Sequence, residues 1–248
     1  MVIFNRLLKT STEKGAAFLL LIDPDKIEKK ELSKLIVDGV KGGVDAFLVG
    51  SSFLMNNSIH DTLKLIKSET DLPVILFPGS VNQVSRYADA ILYISLISGR
   101  NPDYLFGYHV IAAPLLKEME LEVIPTGYIL IESEKMSSIE FITNTKPIPR
   151  NKKELVMAHA LAAEYMGMKL IYLEGGSGAE ISVPENIVLS VKEYVSSPVM
   201  VGGGIKAPEI ARKIVESGAS FVVVGDAIEK NRNLSLIEEF ADAVHIKL

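Results

Sequence analysis

Two glycine-containing segments near the end of the chain could bind an anion. The apolar run 198–201 leads into glycines 202–204, and the run 221–224 leads into Gly225 and Asp226. Because glycine lets a ligand approach the backbone closely, N–H groups at two neighbouring strand-to-helix turns can converge on one anion. The pair predicts a phosphorylated small molecule as ligand. The alternative is that these glycines only let helices pack closely on strands.

Acidic and hydroxyl side chains follow the first two strand-like runs. Within the segment 21–26, Asp23 and Asp25 come directly after an apolar run, and Ser51 and Ser52 follow the next one. Mg²⁺ is held by one or two carboxylates and otherwise by water and phosphate oxygens, which suits Asp23. A serine hydroxyl could join that shell or donate to a phosphate. Capping of the following helices is the alternative, and it accounts better for Asp25 than for Asp23.

The segment 172–178, Tyr-Leu-Glu-Gly-Gly-Ser-Gly, is the most informative for catalysis. Strand alternation puts Tyr172 and Glu174 on the same face, toward the ligand whose phosphate the glycines would hold. A carboxylate beside a substrate hydroxyl can act as a general base, since an alcohol becomes a useful nucleophile only as its proton leaves. The alternative is a glutamate that accepts N–H bonds from its own glycine loop.

A repeated strand–helix pattern must position these residues. Eight short apolar runs alternate with segments of helical period, which favours a parallel sheet and an α/β fold, the (β/α)8 TIM barrel. Active sites of such barrels lie at the carboxyl ends of the strands. The predicted strands are 18–22, 46–49, 74–77, 90–94, 122–124, 170–173, 199–201 and 221–224. The predicted helices are 29–40, 58–68, 102–119, 152–166, 184–195, 207–217 and 227–243.

Two segments depart from this pattern. About a dozen residues join Phe77 to Ala90, barely enough for a crossover that contains a full helix, so we expect the third outer helix to be missing and the barrel wall to be open there. The segment 126–151 contains the extended-looking stretch 127–131 and a loop with two prolines. We interpret it as a lid over the site, with an edge hairpin that serves an oligomer contact as the alternative.

Composition restricts the class of protein. The 248 residues suffice for one domain over 1–248, and 48% of them are hydrophobic. The longest apolar run near the N-terminus, 16–22, is far shorter than the roughly 18 residues that span a bilayer, and 1–10 is predicted to be a short amphipathic helix instead of a signal peptide.

Charge and residue types narrow the possible partners and chemistry further. A net charge of −5 without long basic runs argues against nucleic acid as a partner. With no cysteine, disulfides and thiol chemistry are excluded, and the four histidines lack metal-ligand spacing. We expect a cytoplasmic homo-oligomer.

Taken together, these motifs resemble the geranylgeranylglyceryl phosphate synthases and the related heptaprenylglyceryl phosphate synthases. The motifs are Asp23-Pro24-Asp25-Lys26, Gly50-Ser51-Ser52, Tyr172 to Gly178, Val201 to Lys206 and Val224-Gly225-Asp226. They run from the first strand to the last in the order of the family. The resemblance implies a modified (β/α)8 barrel without the third helix. It also implies transfer of a prenyl group from a prenyl diphosphate to the 3-hydroxyl of sn-glycerol 1-phosphate, in ether phospholipid biosynthesis.

The resemblance also assigns roles to residues. Asp23 and Ser52 match the Mg²⁺ residues, and Glu174 matches the presumed base. The glycerol phosphate site corresponds to Tyr172, Leu173, Glu174, Gly175, Gly176, Ser177, Gly178, Gly203, Gly204, Gly225 and Asp226. One departure is Leu21, where some members have a lysine; the contact to substrate phosphate is then missing or supplied elsewhere, for instance by Lys26.

The prenyl tail needs an apolar groove, and the gap after the third strand is the expected place. Aromatic and aliphatic side chains near it in sequence are Phe77, Tyr93, Ile97, Tyr104 and Tyr108, although ordinary core packing is the alternative for each. Two other functions stay open, because fold alone does not set chemistry. One is a sugar-phosphate isomerase, epimerase or lyase, which needs no such groove. The other is a non-catalytic protein that binds phosphate or prenyl lipid.

Overall fold

Eight parallel strands close into a barrel in sequence order. The computed structural model describes residues 2–56 and 58–246. The predicted fold class is confirmed, and every predicted strand is present, although β5 is several residues longer than predicted because it includes most of the extended stretch 127–131. The strands are β1 Ala17–Ile22, β2 Ala46–Val49, β3 Val74–Leu76, β4 Ala90–Ser95, β5 Glu122–Leu130, β6 Leu170–Glu174, β7 Val199–Gly202 and β8 Phe221–Val224.

The strands bury both faces, which explains their continuous apolar sequences. On β1, Ala17 and Leu19 point into the barrel, whereas Phe18 and Leu20 point outward against the helices. The same alternation repeats around the barrel, so two separate apolar clusters form inside and outside the sheet. Since only one face of each strand can reach the ligand, the alternation decides which residues near a strand end belong to the site.

The predicted N-terminal helix closes the bottom of the barrel. Phe4 and Leu7 of this helix pack into the inner cluster, and the ring of Phe4 lies 6.3 Å from that of Phe221 on β8. The carboxylate of Glu122 accepts hydrogen bonds from the N–H groups of Ile3 and Phe4 at the start of the helix. A negative charge there is favourable for the helix dipole.

Helices surround the sheet. Those of the described residues are α1 Ile3–Lys14, α2 Lys29–Lys41, α3 Ile59–Glu69, α4 Tyr108–Glu118, α5 Ser138–Thr143, α6 Lys153–Tyr165, α7 Glu185–Tyr194, α8 Pro208–Glu216, α9 Asp226–Asn231 and α10 Leu234–Val244. No helix within 2–56 and 58–246 combines the length and the apolarity needed to cross a bilayer.

The connection between β3 and β4 contains no full helix, as predicted. Only a short 3-10 turn, Val81–Gln83, lies between the two strands. The connection is held to α3 by side chains instead: Nδ1 of His60 lies 2.7 Å from Oγ of Ser85, and the Lys64 ammonium lies 4.5 Å from the centre of the Tyr87 ring. The barrel wall is therefore thinner here than elsewhere.

Two predicted helices are interrupted. The single helix predicted over 227–243 is wrong: α9 ends where Arg232 adopts a positive φ of 29°, and Asn233 caps α10 by accepting a hydrogen bond from the Ser235 N–H. The helix predicted over 102–119 begins with a π-helical turn, Asp103–Gly107, before α4 starts. Such π-turns are frequent at functional sites.

The part of the segment 126–151 that follows β5 lies over the carboxyl ends of the barrel strands, whereas residues 126–130 belong to β5 itself. After β5, Ile131 pairs with Ile148 in an isolated bridge, and α5 forms between them. Ile139 on α5 packs against the inner cluster, and Ser137 lies so close to Gly176 that a Cβ there would be 2.6 Å from it. This position is consistent with the predicted lid.

The Asp45 carboxylate links the end of α1 and His245, which follows α10, to β1, and we expect it to be a main contributor to stability. The Asp45 carboxylate accepts hydrogen bonds from Nζ of Lys14 (2.6 Å) and from the Phe18 N–H (2.8 Å), and it lies 2.8 Å from Nε2 of His245. Burial raises the pKa of Asp45, but the contacts with His245, Lys14 and the Phe18 N–H outweigh it, so that its pKa lies below the usual value.

Asp45→Asn should lower the free energy of unfolding at pH 7 by about 2 kcal/mol, because hydrogen bonds to a charged group are lost. Since the folded-state pKa is depressed, the contribution is present above the ordinary aspartate value of about 3.9 and disappears as pH falls below it. Urea unfolding of the wild type and of each variant at pH 7 and pH 3 measures these free energies of unfolding, with substitution of the exposed Asp71 by Asn as the control. If the free energies of unfolding of wild type and Asp45→Asn differ by the same amount at both pH values, the charged Asp45 carboxylate is not what stabilises the fold.

Candidate active site

One cavity opens at the carboxyl ends of the barrel strands and has a volume of about 400 Å³. It joins the predicted polar residues to the gap after β3. Its polar part is lined by Asp23, Lys26, Ser51, Ser52, Tyr172, Glu174, Gly176, Ser177, Gly178, Gly203, Gly204, Lys206, Gly225, Asp226 and Glu229. Its apolar part is lined by Phe77, Val81, Val84, Ile91, Tyr93, Tyr104, Tyr108, His109 and Ala112.

Glu174 ends β6 with its carboxylate inside the barrel and only 4% of the residue exposed. Its Oε1 accepts a hydrogen bond of 2.7 Å from the Gly176 N–H, and the hydroxyls of Tyr172 and Tyr128 also stabilise its charged form. Burial raises the pKa of Glu174 to about 7, against the lowering effect of these donors. A carboxylate whose pKa lies near neutrality can both accept and release a proton.

Two tyrosines and a phenylalanine form the floor beneath this carboxylate. The ring of Tyr172 stacks on that of Phe77 at 5.3 Å and meets that of Tyr128 edge-on at 5.2 Å. Burial and the nearby Glu174 charge raise the pKa of both tyrosines well above the usual value. Both hydroxyls therefore stay protonated at neutral pH.

The glycines next to Glu174 are required by close contacts. A Cβ on Gly203 would lie 2.3 Å from Oε1 of Glu174, and Gly203 and Gly204 both have positive φ, at 80° and 69°. Within the described residues, the N–H groups of Gly204, Gly225 and Asp226 donate to no protein acceptor. These donors at the ends of β7 and β8 are placed as an anion site requires.

Asp23 directly follows β1 and is 9% exposed. Its Oδ1 accepts from the Asp25 N–H at 3.1 Å, and its Oδ2 accepts from the Ser51 hydroxyl at 3.0 Å. Because a carboxylate offers about four acceptor sites, two remain for a cation in the cavity. Ser52 also lines the cavity, but Ser51 is the serine that contacts Asp23. No cluster of three or more His, Cys, Asp or Glu side chains among residues 2–56 and 58–246 could hold a metal.

A lysine lies beside Asp23 and could take the place of the basic residue absent at position 21. Nζ of Lys26 lies 3.2 Å from Asp226, 3.3 Å from Glu229 and 3.6 Å from Asp23. Burial lowers the pKa of Lys26, but these three carboxylates outweigh it and raise the pKa, so the lysine stays charged. Leu21 packs against Gly225, with 3.3 Å to the position of a Cβ there.

The apolar part of the cavity passes through the gap in the helical wall. Tyr93 and Tyr104 line it from β4 and the π-turn, and His109 and Ala112 line it from α4. The Tyr93 hydroxyl donates to the His109 carbonyl at 2.6 Å, so its polar atom is satisfied away from the groove. Of the five side chains expected here, Ile97 is not part of the lining and packs in the outer cluster.

Two of the predicted substrate residues do not line the cavity. The Leu173 side chain points outward into the outer cluster, as alternation along β6 requires. The Gly175 N–H donates to the Gly202 carbonyl at 3.0 Å and is not free for a ligand. Sequence reasoning missed Tyr128 and Glu229. Alternation from Ile124 would have placed Tyr128 inside the barrel, had the strand been continued that far.

Known proteins resemble this chain over its full length. Residues 9–244 match the PcrB family. A geranylgeranylglyceryl phosphate synthase of Chitinophaga pinensis is 43% identical over 243 residues, which cover 98% of this chain and 96% of that protein. A protein of the same name from Methanosphaera stadtmanae is 41% identical over 246 residues, which cover 99% of this chain and 100% of that protein.

A solved structure gives the same result. The crystal structure of (S)-3-O-geranylgeranylglyceryl phosphate synthase from Thermoplasma acidophilum, in complex with the substrate sn-glycerol-1-phosphate, matches with a TM-score of 0.93. The identity is 32%, and the match covers 99% of both chains. The chain therefore belongs to the PcrB family, together with these geranylgeranylglyceryl phosphate synthases.

Proposed function

We propose that the protein transfers a geranylgeranyl group from geranylgeranyl diphosphate to the 3-hydroxyl of sn-glycerol 1-phosphate and releases diphosphate. One observation carries the proposal: a single cavity joins free backbone donors, a buried carboxylate of raised pKa and an apolar groove. Each of these features suits one part of the two substrates. The names of the related proteins and the glycerol phosphate in the Thermoplasma acidophilum structure support the same activity.

Glycerol phosphate binds with its phosphate at the ends of β7 and β8. The N–H groups of Gly204, Gly225 and Asp226 supply donors, and Lys26 and Lys206 supply positive charge at the cavity wall. Lys26 also neutralises the Asp226 carboxylate, which would otherwise repel a phosphate. With the phosphate fixed there, the free primary hydroxyl of the substrate can reach Glu174, because all of these groups line one cavity.

The transfer exchanges one carbon–oxygen bond for another. The 3-hydroxyl oxygen forms a bond to C1 of the prenyl group, the bond from C1 to diphosphate breaks with its electron pair on diphosphate, and Glu174 accepts the hydroxyl proton. A pKa of about 7 lets Glu174 take the proton at neutral pH and return it to water after the product leaves. The Gly176 N–H holds the carboxylate in place for this step, and the hydroxyls of Tyr172 and Tyr128 favour its charged form.

The proposal includes Mg²⁺ at Asp23 and Ser52. The residues present suit a hard cation, since the Asp23 carboxylate keeps free acceptor sites on the cavity side and serine hydroxyls lie beside it. When bound, Mg²⁺ would neutralise charge on the departing diphosphate. Asp23 would hold it, and Lys26, 3.6 Å from Asp23, adds a second positive charge on the same side.

The prenyl tail lies in the groove between β4 and α4. The lining is apolar along the open wall, and each CH₂ of the tail buried there contributes about 0.8 kcal/mol to the free energy of binding.

The proposal also includes a homo-oligomer in the cytoplasm. Large apolar side chains on the outer surface, such as Phe106, Ile111 and Tyr165, are 58–80% exposed and support a contact between copies.

The deciding experiment is incubation with each glycerol phosphate enantiomer and labelled prenyl diphosphates of several lengths, with and without Mg²⁺. The proposal predicts organic-extractable label with sn-glycerol 1-phosphate and a twenty-carbon donor. A sugar-phosphate isomerase would produce none with any donor. Label that does not depend on Mg²⁺ would remove the metal from the proposal and leave the transfer in place.

Glu174→Gln should lower turnover by about 10² or more, because the amide cannot accept the proton, while the affinity for glycerol phosphate stays within a few-fold. Steady-state kinetics and calorimetric binding measure the two effects separately. Turnover near that of the wild type would remove Glu174 from the mechanism.

The pH dependence follows from the raised pKa of the base. Since Glu174 must be deprotonated to act, kcat/KM should fall as pH drops below about 7. Tyr128→Phe removes a donor that lowers this pKa, so the acidic limb of the profile should move to higher pH. Tyr93→Phe, which removes a hydroxyl bonded to the His109 carbonyl, serves as the matched control. An acidic limb that moves equally in both variants would contradict the role of Tyr128.

A further inference from the structure

A buried glutamine in the thin part of the barrel wall is bonded to the backbone of the active site. Gln83 ends the 3-10 turn after β3 and is 2% exposed. Its Nε2 donates to the Ser51 carbonyl at 2.7 Å, and its Oε1 accepts from the N–H groups of Ser51 (3.2 Å) and Gly79 (3.3 Å). The amide orientation is fixed by these partners, since the opposite orientation would place its NH₂ against two N–H groups.

This side chain replaces backbone pairing that the sheet no longer provides. The ladder between β2 and β3 ends with the hydrogen bond from the Phe77 N–H to the Val49 carbonyl, two residues before Ser51. Within the described residues, the N–H and the carbonyl of Ser51 find their protein partners in Gln83 alone. The position of Ser51 relative to the barrel therefore depends on Gln83.

Ser51 in turn holds the carboxylate of Asp23. Its hydroxyl lies 3.0 Å from Oδ2 of Asp23 and also 3.0 Å from the Phe53 carbonyl, so these two acceptors share its single proton, while the Asp25 N–H donates to Oδ1 at 3.1 Å. These two contacts together set the rotation of the carboxylate plane. A shift of Ser51 would remove this hydroxyl contact and leave Oδ2 beside the Lys26 ammonium alone, at 3.6 Å, so the carboxylate could rotate about its contact with the Asp25 N–H.

We propose that Gln83 is a positioning residue for Asp23 and acts through Ser51. The inference rests on the proposed function, in which Asp23 faces the diphosphate and its cation. Gln83 itself does not line the cavity, so it does not touch a ligand. The connection between β3 and β4 thus has two roles. It leaves room for the prenyl tail, and it places the Gln83 amide where it fixes the position of Ser51 and, through Ser51, of Asp23.

The test compares Gln83→Met with Ser85→Ala. Methionine keeps the unbranched shape and removes all three hydrogen bonds, whereas Ser85→Ala removes a buried hydrogen bond to His60 on the same connection without touching Ser51. Calorimetry measures the binding of inorganic diphosphate with Mg²⁺ and, separately, of sn-glycerol 1-phosphate. Thermal melting reports the stability of each variant.

Gln83→Met should weaken Mg²⁺-dependent diphosphate binding about 10-fold or more, as for other residues that orient a metal ligand, and leave glycerol phosphate binding within a few-fold. Ser85→Ala should change neither affinity. Ser51→Ala should reproduce the loss, and combining it with Gln83→Met should add little, because both act on the same carboxylate.

Equal diphosphate binding by wild type and Gln83→Met would overturn the inference while leaving the proposed function intact. Equal weakening of both ligands in Gln83→Met would also overturn it, since that pattern indicates general loss of structure. If the wild type binds no diphosphate with Mg²⁺, the metal part of the proposed function fails, and the inference fails with it.

Discussion

Burying the Glu174 carboxylate inside the barrel costs free energy, and the residues around it are arranged to offset that cost. A carboxylate taken out of water must be hydrogen-bonded or protonated. Here the Gly176 N–H donates to the carboxylate and the hydroxyls of Tyr172 and Tyr128 favour its charged form, but burial outweighs them and the pKa of Glu174 remains raised to about 7. The neighbouring turn must then be glycine, since a Cβ on Gly203 would collide with the same carboxylate. One packing constraint thus shapes both the proposed base, Glu174, and the glycine turn proposed to bind the phosphate.

The second determinant of function is the thin wall between β3 and β4. In a regular barrel an outer helix would cover this part of the sheet. Here a 3-10 turn at Val81–Gln83 leaves an apolar groove that continues from the polar cavity, bounded on the other side by α4 and its preceding π-turn. A small phosphorylated sugar would need only the polar half. The groove is what distinguishes this barrel from phosphate-binding barrels in general, because those share the glycine turns.

The sequence predicted the barrel, its missing helix and most of the polar site, because these depend on local signals: apolar runs, glycines after strands and the short distance between Phe77 and Ala90. It could not predict features that depend on contacts between distant segments. Gln83 reaches Ser51 across 32 positions, and Glu229 binds the Asp23 N–H from α9. The length of β5 was also underestimated: the stretch 127–131, which contains Tyr128, was recognised as extended but was assigned to the irregular segment 126–151 and not to the strand.

Both substrates are proposed to occupy one continuous cavity, with the prenyl tail leaving through the thin wall. The decisive measurement is a crystal structure with sn-glycerol 1-phosphate and a non-reactive thio analogue of geranylgeranyl diphosphate. The tail is expected against Phe77, Tyr93 and Tyr104, with its C1 atom facing the glycerol hydroxyl near Glu174. A tail that leaves the barrel elsewhere, for instance beneath α5, would contradict this proposal.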